Sequence, residues 1–295
     1  MLKFFKRKAP LNKQPPLPAI EEETSIEEVE QPPIEVQGKS KEESRALYSN
    51  VGLHDATRSG WFNNKTGELF TGFPIDGNHT LVDVGCGGGG NLKFCAPHAK
   101  QVIGIDIDAA KIEIAKQALL AGGSENFTLI VSDASPIPLE SNVADRVVCT
   151  EVLEHVEDPA KTMAELWRIG KPGALYLISV PGQLSEELLK PIAPSFWFEH
   201  PNHIRVFSKL DFENLIKSSN LIIENQAFAS FYWSVWHALL CLCNVEHETG
   251  THPALDLWSE AWDAILADDT AKERILALEK VLHKSHIIIA RKPAN

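Results

Sequence analysis

The sequence predicts an α/β fold: a doubly wound, mostly parallel sheet of seven strands, the last antiparallel, with a helical insertion between strands six and seven. Three observations carry this reading. From residue 80 to residue 180, short apolar runs alternate with segments whose apolar residues recur at helical spacing. A cluster of glycines follows the first of those runs. A tryptophan-rich stretch of helical character separates the last two β-type runs.

The elements follow in order. Residues 80–84 form a short apolar run ending in glycines, a buried strand leading into a turn. Residues 101–105 are the second strand. Residues 109–121 are a helix with Ile112, Ile114, Ala115, Ala118 and Leu119 at helical spacing. Residues 127–131 and 143–149 are the third and fourth strands. Between the fourth and fifth, residues 159–169 form a helix with Met163, Leu166 and Trp167 on one side. Residues 173–180 are the fifth strand, entered through Lys171, Pro172 and Gly173. A helix at 210–218, a sixth strand at 221–228 and a seventh at 286–291 complete the sheet. Strands alternating with helices imply parallel pairing through right-handed crossovers.

Ahead of this lies a stretch of different composition. Residues 1–43 are rich in Pro, Glu and Lys without apolar periodicity, so they read as a disordered tail before a domain at 44–295. Its tip places Leu2, Phe4 and Phe5 among Lys3, Lys6, Arg7 and Lys8, a pattern that suits peripheral contact with an anionic membrane. No apolar core follows it, so a secretory signal is not expected. The stretch 227–245 has no charged residue, but half of it continues the sixth strand and it holds Ser230, Ser234, His237 and Asn244. A strand followed by a buried or interfacial helix explains it better than a membrane span. A net charge of −12 argues against a nucleic-acid partner. The five cysteines contain no CxxC pair, as expected of a reduced cytoplasmic protein.

The glycines sit at 85, 87, 88, 89 and 90. Glycine lets the backbone take positive φ and lets a ligand approach without a Cβ clash. Open α/β sheets bind ligands at such strand ends. The spacing Gly85-x-Gly87-x-x-Gly90 alone also fits dinucleotide binding. Three acids narrow it. Asp83 precedes Gly85 by two residues, giving D-x-G-x-G-x-G. Asp106 ends the second strand, where a carboxylate can accept bonds from both hydroxyls of a ribose. Asp133 follows the third strand, where an acid can accept from an adenine amino group.

These residues, in this order on successive strand ends, resemble the signature of class I methyltransferases that use S-adenosylmethionine (SAM). The segments 145–159 and 166–173 resemble the fourth-strand motif of that superfamily and its turn into the fifth. The resemblance implies a Rossmann-like fold, SAM as cofactor, and cofactor contacts from Asp83, Gly85, Cys86, Gly87, Asp106, Ile107, Asp133, Ala134 and Glu151.

Chemistry on the acceptor is expected from two histidines. Enzymes that methylate exocyclic nitrogens often carry N/D-P-P-Y after the fourth strand; here Thr150, Glu151, Val152 and Leu153 stand there. The form Glu151-x-x-Glu154-His155 is similar to that of ubiquinone-biosynthesis O-methyltransferases, which implies transfer to a hydroxyl. His155 and, in the aromatic segment 196–207, His203 are the candidate bases. In the ubiquinone-type enzymes this Glu-x-x-Glu-His cluster is associated with a divalent metal, which Glu151, Glu154 and His155 could hold; the sequence by itself predicts no metal site. The run 59–70 resembles methyltransferases of bacterial surface-glycan clusters, so a sugar hydroxyl is the preferred acceptor. Arg58, Trp61 and Phe62 either fold over the cofactor or pack in the core.

The insertion, about 230–285, carries three apolar stripes: Trp233, Trp236, Leu239 and Leu240; Leu255, Trp258 and Trp262; Ile275, Leu278 and Leu282. They are expected to pack against the catalytic domain, walling the acceptor pocket or forming a homodimer contact. Two rival functions share parts of the pattern: an NAD-dependent oxidoreductase needs the glycines and Asp106, and a non-catalytic SAM-binding protein needs only the cofactor residues.

Overall fold

A computed structural model describes residues 38–246 and 250–294. Most of the expected tail, with Leu2, Phe4 and Phe5, lies outside the described residues. The elements in chain order are α1 (Lys41–Arg58), β1 (Trp61–Asn63), β2 (Glu68–Phe70), β3 (Phe73–Pro74), β4 (Thr80–Val84), α2 (Gly90–Cys95), β5 (Gln101–Asp106), α3 (Ala109–Ala121), β6 (Phe127–Val131), β7 (Ala144–Thr150), α4 (Pro159–Ile169), β8 (Gly170–Pro181), α5 (Gln183–Leu189), α6 (Lys209–Ser218), β9 (Ile222–Ala229), α7 (Phe231–Leu242), α8 (Pro253–Leu266), α9 (Lys272–Glu279) and β10 (Ser285–Arg291).

The main sheet has seven strands in the order β6-β5-β4-β7-β8-β10-β9. The first five are parallel to their neighbours, and β10 runs antiparallel to both β8 and β9. Strand order reverses between β4 and β7, the switch point where open α/β sheets take ligands. Alternation along each strand sends side chains to two cores. Val82, Val84, Tyr176, Ile178, Val180, Ile288 and Ala290 face one, together with Met163 and Leu166 of α4 and Phe212 and Ile216 of α6. Leu81, Val102, Leu175, Leu177, Ile287 and Ile289 face the other, under α2 and α3.

The segment before the sheet is ordered, and the sequence reading missed most of it. Helix α1 begins at Lys41, inside the stretch read as tail. Ser40 caps it: its Oγ accepts from the Glu43 N–H while Glu43 Oε2 accepts from the Ser40 N–H. A small antiparallel sheet β1-β2-β3 follows. Trp61 packs on Phe70 at 5.0 Å and Phe62 on Phe94 of α2 at 5.5 Å. The aromatic pair is therefore core packing and does not line the cleft described below.

The insertion is helical, as its periodicity indicates, and its main partner is α1, most of which lies within the domain expected to receive it. Helices α7, α8 and α9 share a third apolar cluster with α1: Tyr48 and Val51 against Tyr232, Trp236, Leu240, Leu255, Trp262 and Ile275. Polar bonds lock the pair. Tyr48 Oη donates to Asp256 Oδ1 at 2.6 Å, and Trp262 Nε1 donates to Asp55 Oδ1 at 2.8 Å. A Cβ on Gly52 would lie 2.4 Å from Trp233 Cζ2, so glycine there permits the close approach of α1 to α7. Leu278, placed in the third stripe, is 44% exposed; that stripe turns only Ile275 fully inward. Among the described residues no helix is long and apolar enough to cross a membrane. The uncharged stretch divides into the end of β9, a left-handed turn at Ser230 and helix α7.

Because β9 leads into the insertion and β10 leaves it, this helical layer stands at the carboxyl edge of the parallel strands. The glycine turn and the strand tips open there too.

Candidate active site

The turn after β4 is shaped by two glycines with different reasons to be glycine. Gly85 has φ +76°, and a Cβ there would lie 2.2 Å from Val152 Cγ2. Gly87 has φ +50°, and its Cβ would project into open space at the cleft. Backbone bonds hold the turn against β5: Gly85 N and Cys86 N both donate to Ile105 O, at 2.8 and 3.0 Å. Asp106 completes the brace, with Oδ2 accepting from Gly87 N at 2.8 Å and Oδ1 from Asp108 N at 2.9 Å. Each carboxylate oxygen keeps a further lone pair for a ligand.

A cleft of about 520 Å³ runs across these strand ends. It is lined on one side by Asp106, Ile107, Asp133 and Ala134, and on the other by Glu151, Val152, His155, His200 and Pro201. Ile107 is 72% exposed, an apolar surface beside a carboxylate, which suits a flat base above a ribose. Asp133 Oδ1 accepts from Ser135 N at 3.0 Å, and the Ala134 N–H donates to Ser132 Oγ at 3.1 Å, so the Asp133 carboxylate has one oxygen less engaged than the other. Asp106, Asp108, Asp133 and Glu151 line the cleft with one lysine, Lys111, and even with Glu151 paired to Lys284 the remaining acids favour a cationic ligand. The open glycine cradle, the paired acids and the exposed Ile107 together fit SAM.

Two residues of the sequence motif stand behind this surface. Asp83 is fully buried beneath the turn; burial pushes its carboxyl up to about 7, against the pull of the Asn91 amide. Cys86 is buried, with its sulfur close to Gly104, and burial raises its thiol to about 12. Their side chains support the turn without lining the cleft.

The end of β7 carries a denser polar cluster. Glu151 adopts φ +55°, a strained conformation for a residue with a Cβ. Its Oε1 accepts from Ser179 Oγ at 2.8 Å and its Oε2 from Lys284 Nζ at 2.8 Å. Burial resists its ionisation, but Lys284 and Ser179 outweigh that and hold the carboxyl below its usual range. Glu154 is fully buried with neither oxygen hydrogen-bonded; burial first, then the charge on Glu151, pushes its carboxyl well above the usual range.

The two expected histidines meet here. Their rings are 4.9 Å apart, edge to face. His155 Nδ1 donates to the carbonyl of Pro201 at 3.0 Å, and His203 Nδ1 donates to Glu186 Oε2 at 2.7 Å. Each keeps Nε2 with a free lone pair. Burial lowers His155, opposed by its bond to Pro201 and aided by the neighbouring His203. Arg205 fixes the loop after β7 by donating to the carbonyls of Val156 and Glu157 at 2.7 and 3.0 Å. The aromatic segment between β8 and α6 divides: His200 and Pro201 line the cleft, Trp197 joins the helical layer, Phe207 enters the core and Phe196 is exposed. Lys284, Glu186 and Ser179 were not read from the sequence. Lys284 lies 133 positions from Glu151, and no local pattern marks it.

Comparison with known proteins agrees with this geometry. Residues 82–178 match the family model described as "Methyltransferase domain". The ubiquinone biosynthesis O-methyltransferase of Colwellia psychrerythraea is 33% identical over 135 residues, 42% of this chain and 54% of that protein. The enzyme of the same description from Saccharophagus degradans is 40% identical over 94 residues, 32% of this chain and 39% of that protein. The chain thus spans about half, or less, of these relatives. Among solved structures, the YcgJ protein of Bacillus subtilis aligns with a TM-score of 0.51 at 16% identity, covering 84% of this chain and 100% of that one. The [4+2]-cyclase SpnF aligns with a TM-score of 0.52 at 18% identity, covering 88% and 98%. At such identities the likeness is one of fold.

Proposed function

We infer that this chain, which carries a class I SAM-dependent methyltransferase domain, transfers the methyl group of SAM to a hydroxyl of a small molecule, a sugar ring being the preferred acceptor. The observation that carries the hydroxyl is the pairing of His155, which lines the cleft, with His203, whose ring packs against it at 4.9 Å, each with Nδ1 tied to an acceptor and Nε2 left to accept. A hydroxyl must lose its proton as it attacks, and these atoms can take it.

SAM, when bound, supplies a methyl group already activated on a sulfonium. The chain's residues therefore bind, align and manage one proton. Asp106 accepts from the ribose hydroxyls, Ile107 covers the base, and Asp133 accepts from its amino group. Glu151, paired with Lys284, lines the other side of the cleft and is the acid that the cationic end of the ligand would meet there. Pro201 and Glu186 fix each imidazole in the tautomer that leaves Nε2 unprotonated and able to accept. The relatives' names support an oxygen acceptor, and the sugar rests on the sequence resemblance of residues 59–70.

The test is an acceptor screen that follows S-adenosylhomocysteine release, with mass spectrometry locating the added methyl. Transfer to nitrogen or carbon acceptors and to no hydroxyl compound would reject the proposal.

A further inference from the structure

A second pocket, of about 460 Å³, opens on the carboxyl edge of the sheet between α5, α6 and the strand ends at Phe228 and His286. His286 is 3% exposed and lines it beside Phe207 and Phe228. Two lysines from separate elements join them: Lys209, the first residue of α6, and Lys280, just after α9. Lys209 Nζ lies 5.6 Å from the centre of the Phe228 ring. It meets Glu213 only at 3.9 Å, whereas Lys217 reaches the same carboxylate at 3.0 Å. Glu187 is the one acid of the lining among the described residues, and its Oε1 accepts from the Gln183 amide at 2.8 Å. Burial lowers the imidazole of His283, and it takes that of His286 down to about 4, with His283 and Lys209 adding to the fall and Glu213 opposing it. Both rings are therefore neutral near pH 7, and the positive charge of the pocket is that of the lysines. Two lysines against one acid make a positive recess in a chain of net charge −12. The rings of His283 and His286 lie 4.5 and 4.9 Å from that of Phe228, so flat faces accompany the charge.

A phosphate ester with a ring attached matches both halves. Lysine binds phosphate as a point charge, and aromatic faces take a ring by stacking. We propose that this pocket binds the phosphate ester of a ring compound, with Lys209 and Lys280 on the phosphate and Phe228 and the two imidazoles against the ring. The pocket shares no lining residue with the cleft but lies near it. Lys284, two positions before His286, reaches Glu151 in the cleft. Only β8 separates β7 from β10, so the two sites stand about two strand spacings, roughly 10 Å, apart. The phosphate has two possible sources, the methyl acceptor itself or a separate effector. The first source rests on the hydroxyl-transfer reading; the binding does not.

The experiment titrates the full chain, without SAM and at low salt, with phenyl phosphate, inorganic phosphate and phenol, followed by calorimetry. One phenyl phosphate is expected to bind per chain. Inorganic phosphate should bind about 10-fold more weakly, for want of ring contacts, and phenol should not bind measurably. Lys209→Met and Lys280→Met should each weaken phenyl phosphate about 10-fold, with SAM affinity unchanged, and the double variant should lose it. Phe228→Leu should weaken phenyl phosphate about 3- to 10-fold and leave inorganic phosphate as it was. The proposal is overturned if phenyl phosphate does not bind, if phenol binds equally, or if the double lysine variant binds as the native chain does. Kinetics with an acceptor from the screen then separate the sources. A phosphate on the acceptor predicts that Lys280→Met raises KM about 10-fold for the phosphorylated acceptor alone, and that phenyl phosphate competes with it. An effector predicts that phenyl phosphate alters turnover of a phosphate-free acceptor without competing. Phenyl phosphate binding with no methyl transfer to any hydroxyl would remove the transfer reading and keep the pocket; transfer with no phosphate binding would do the reverse.

Discussion

Lys284 Nζ donates to Glu151 Oε2 at 2.8 Å across 133 positions of sequence, joining the residue before β10 to the residue after β7. Burial works against the charge of Lys284, and Glu151 with Glu186 outweighs it, so the ammonium is held above its usual value. Lys284→Met should therefore strand Glu151 against buried Glu154. With the two side chains 18% and 31% exposed, the cost should be about 2 kcal/mol rather than that of a fully buried pair. Lys284→Met combined with Glu151→Gln should recover part of it. Denaturant titration measures both, and equal losses in the single and double variants would contradict the pairing.

Asp106 braces the glycine turn and faces the cleft. SAM at about 100 times its Kd should stabilise the native chain by roughly 2.7 kcal/mol. Asp106→Ala should lose most of that gain, and NAD should give none. A thermal shift from NAD but none from SAM would replace the methyltransferase reading with a redox one.

His155→Ala and His203→Ala should each lower kcat by about 10²- to 10⁴-fold while SAM affinity stays within a few-fold. Full turnover in both variants and in their double would leave positioning alone as the source of catalysis.

Asp55 is 1% exposed, and burial pushes its carboxyl from 3.8 up to about 7, with the Trp262 indole bond opposing and Glu279 adding to the rise. Between those values the unfolded chain releases the Asp55 proton and the folded chain keeps it. This group therefore subtracts stability progressively as pH rises through that window, and none below it. Asp55→Asn keeps an acceptor for Trp262 Nε1 and should match the native chain near about pH 4 but melt several degrees higher near about pH 8. A constant difference across pH would contradict the shift.

Gly52→Ala tests the packing of α1 on α7. The added methyl meets the Trp233 ring, so a loss of about 1–3 kcal/mol is expected, with SAM affinity unchanged. Unaltered stability would mean that the indole has room to move.

The parts of the fold legible in the sequence are those with a local period. Strands β4, β5, β7 and β8 are apolar runs largely buried on both faces, and the ends of α3 and α4 match their apolar spacing. Helix α1 escaped because its buried face is Ser44, Tyr48, Val51, Gly52 and Asp55, only two of which are large and apolar. Its capping box at Ser40 and Glu43 was the available signal. In the site, residues on strand tips could be read from spacing, whereas Glu186 and Lys284 act through partners distant in sequence. Asp83 shows the converse: its place in the motif is plain, but only its burial reveals that it lies beneath the turn.

The embrace between α1 and the insertion orders events during synthesis. Tyr48 and Asp55 bind residues 208 and 207 positions later, Asp256 and Trp262. The ribosome thus delivers α1 long before the helices that cover its apolar face, while β4 to β8 pair with near neighbours as they emerge. Until the last third of the chain has left the tunnel, Tyr48 and Val51 stay uncovered. A nascent chain halted after β9 would hold a nearly complete cofactor half beside an orphan helix, a natural client for chaperones and a point of vulnerability to aggregation.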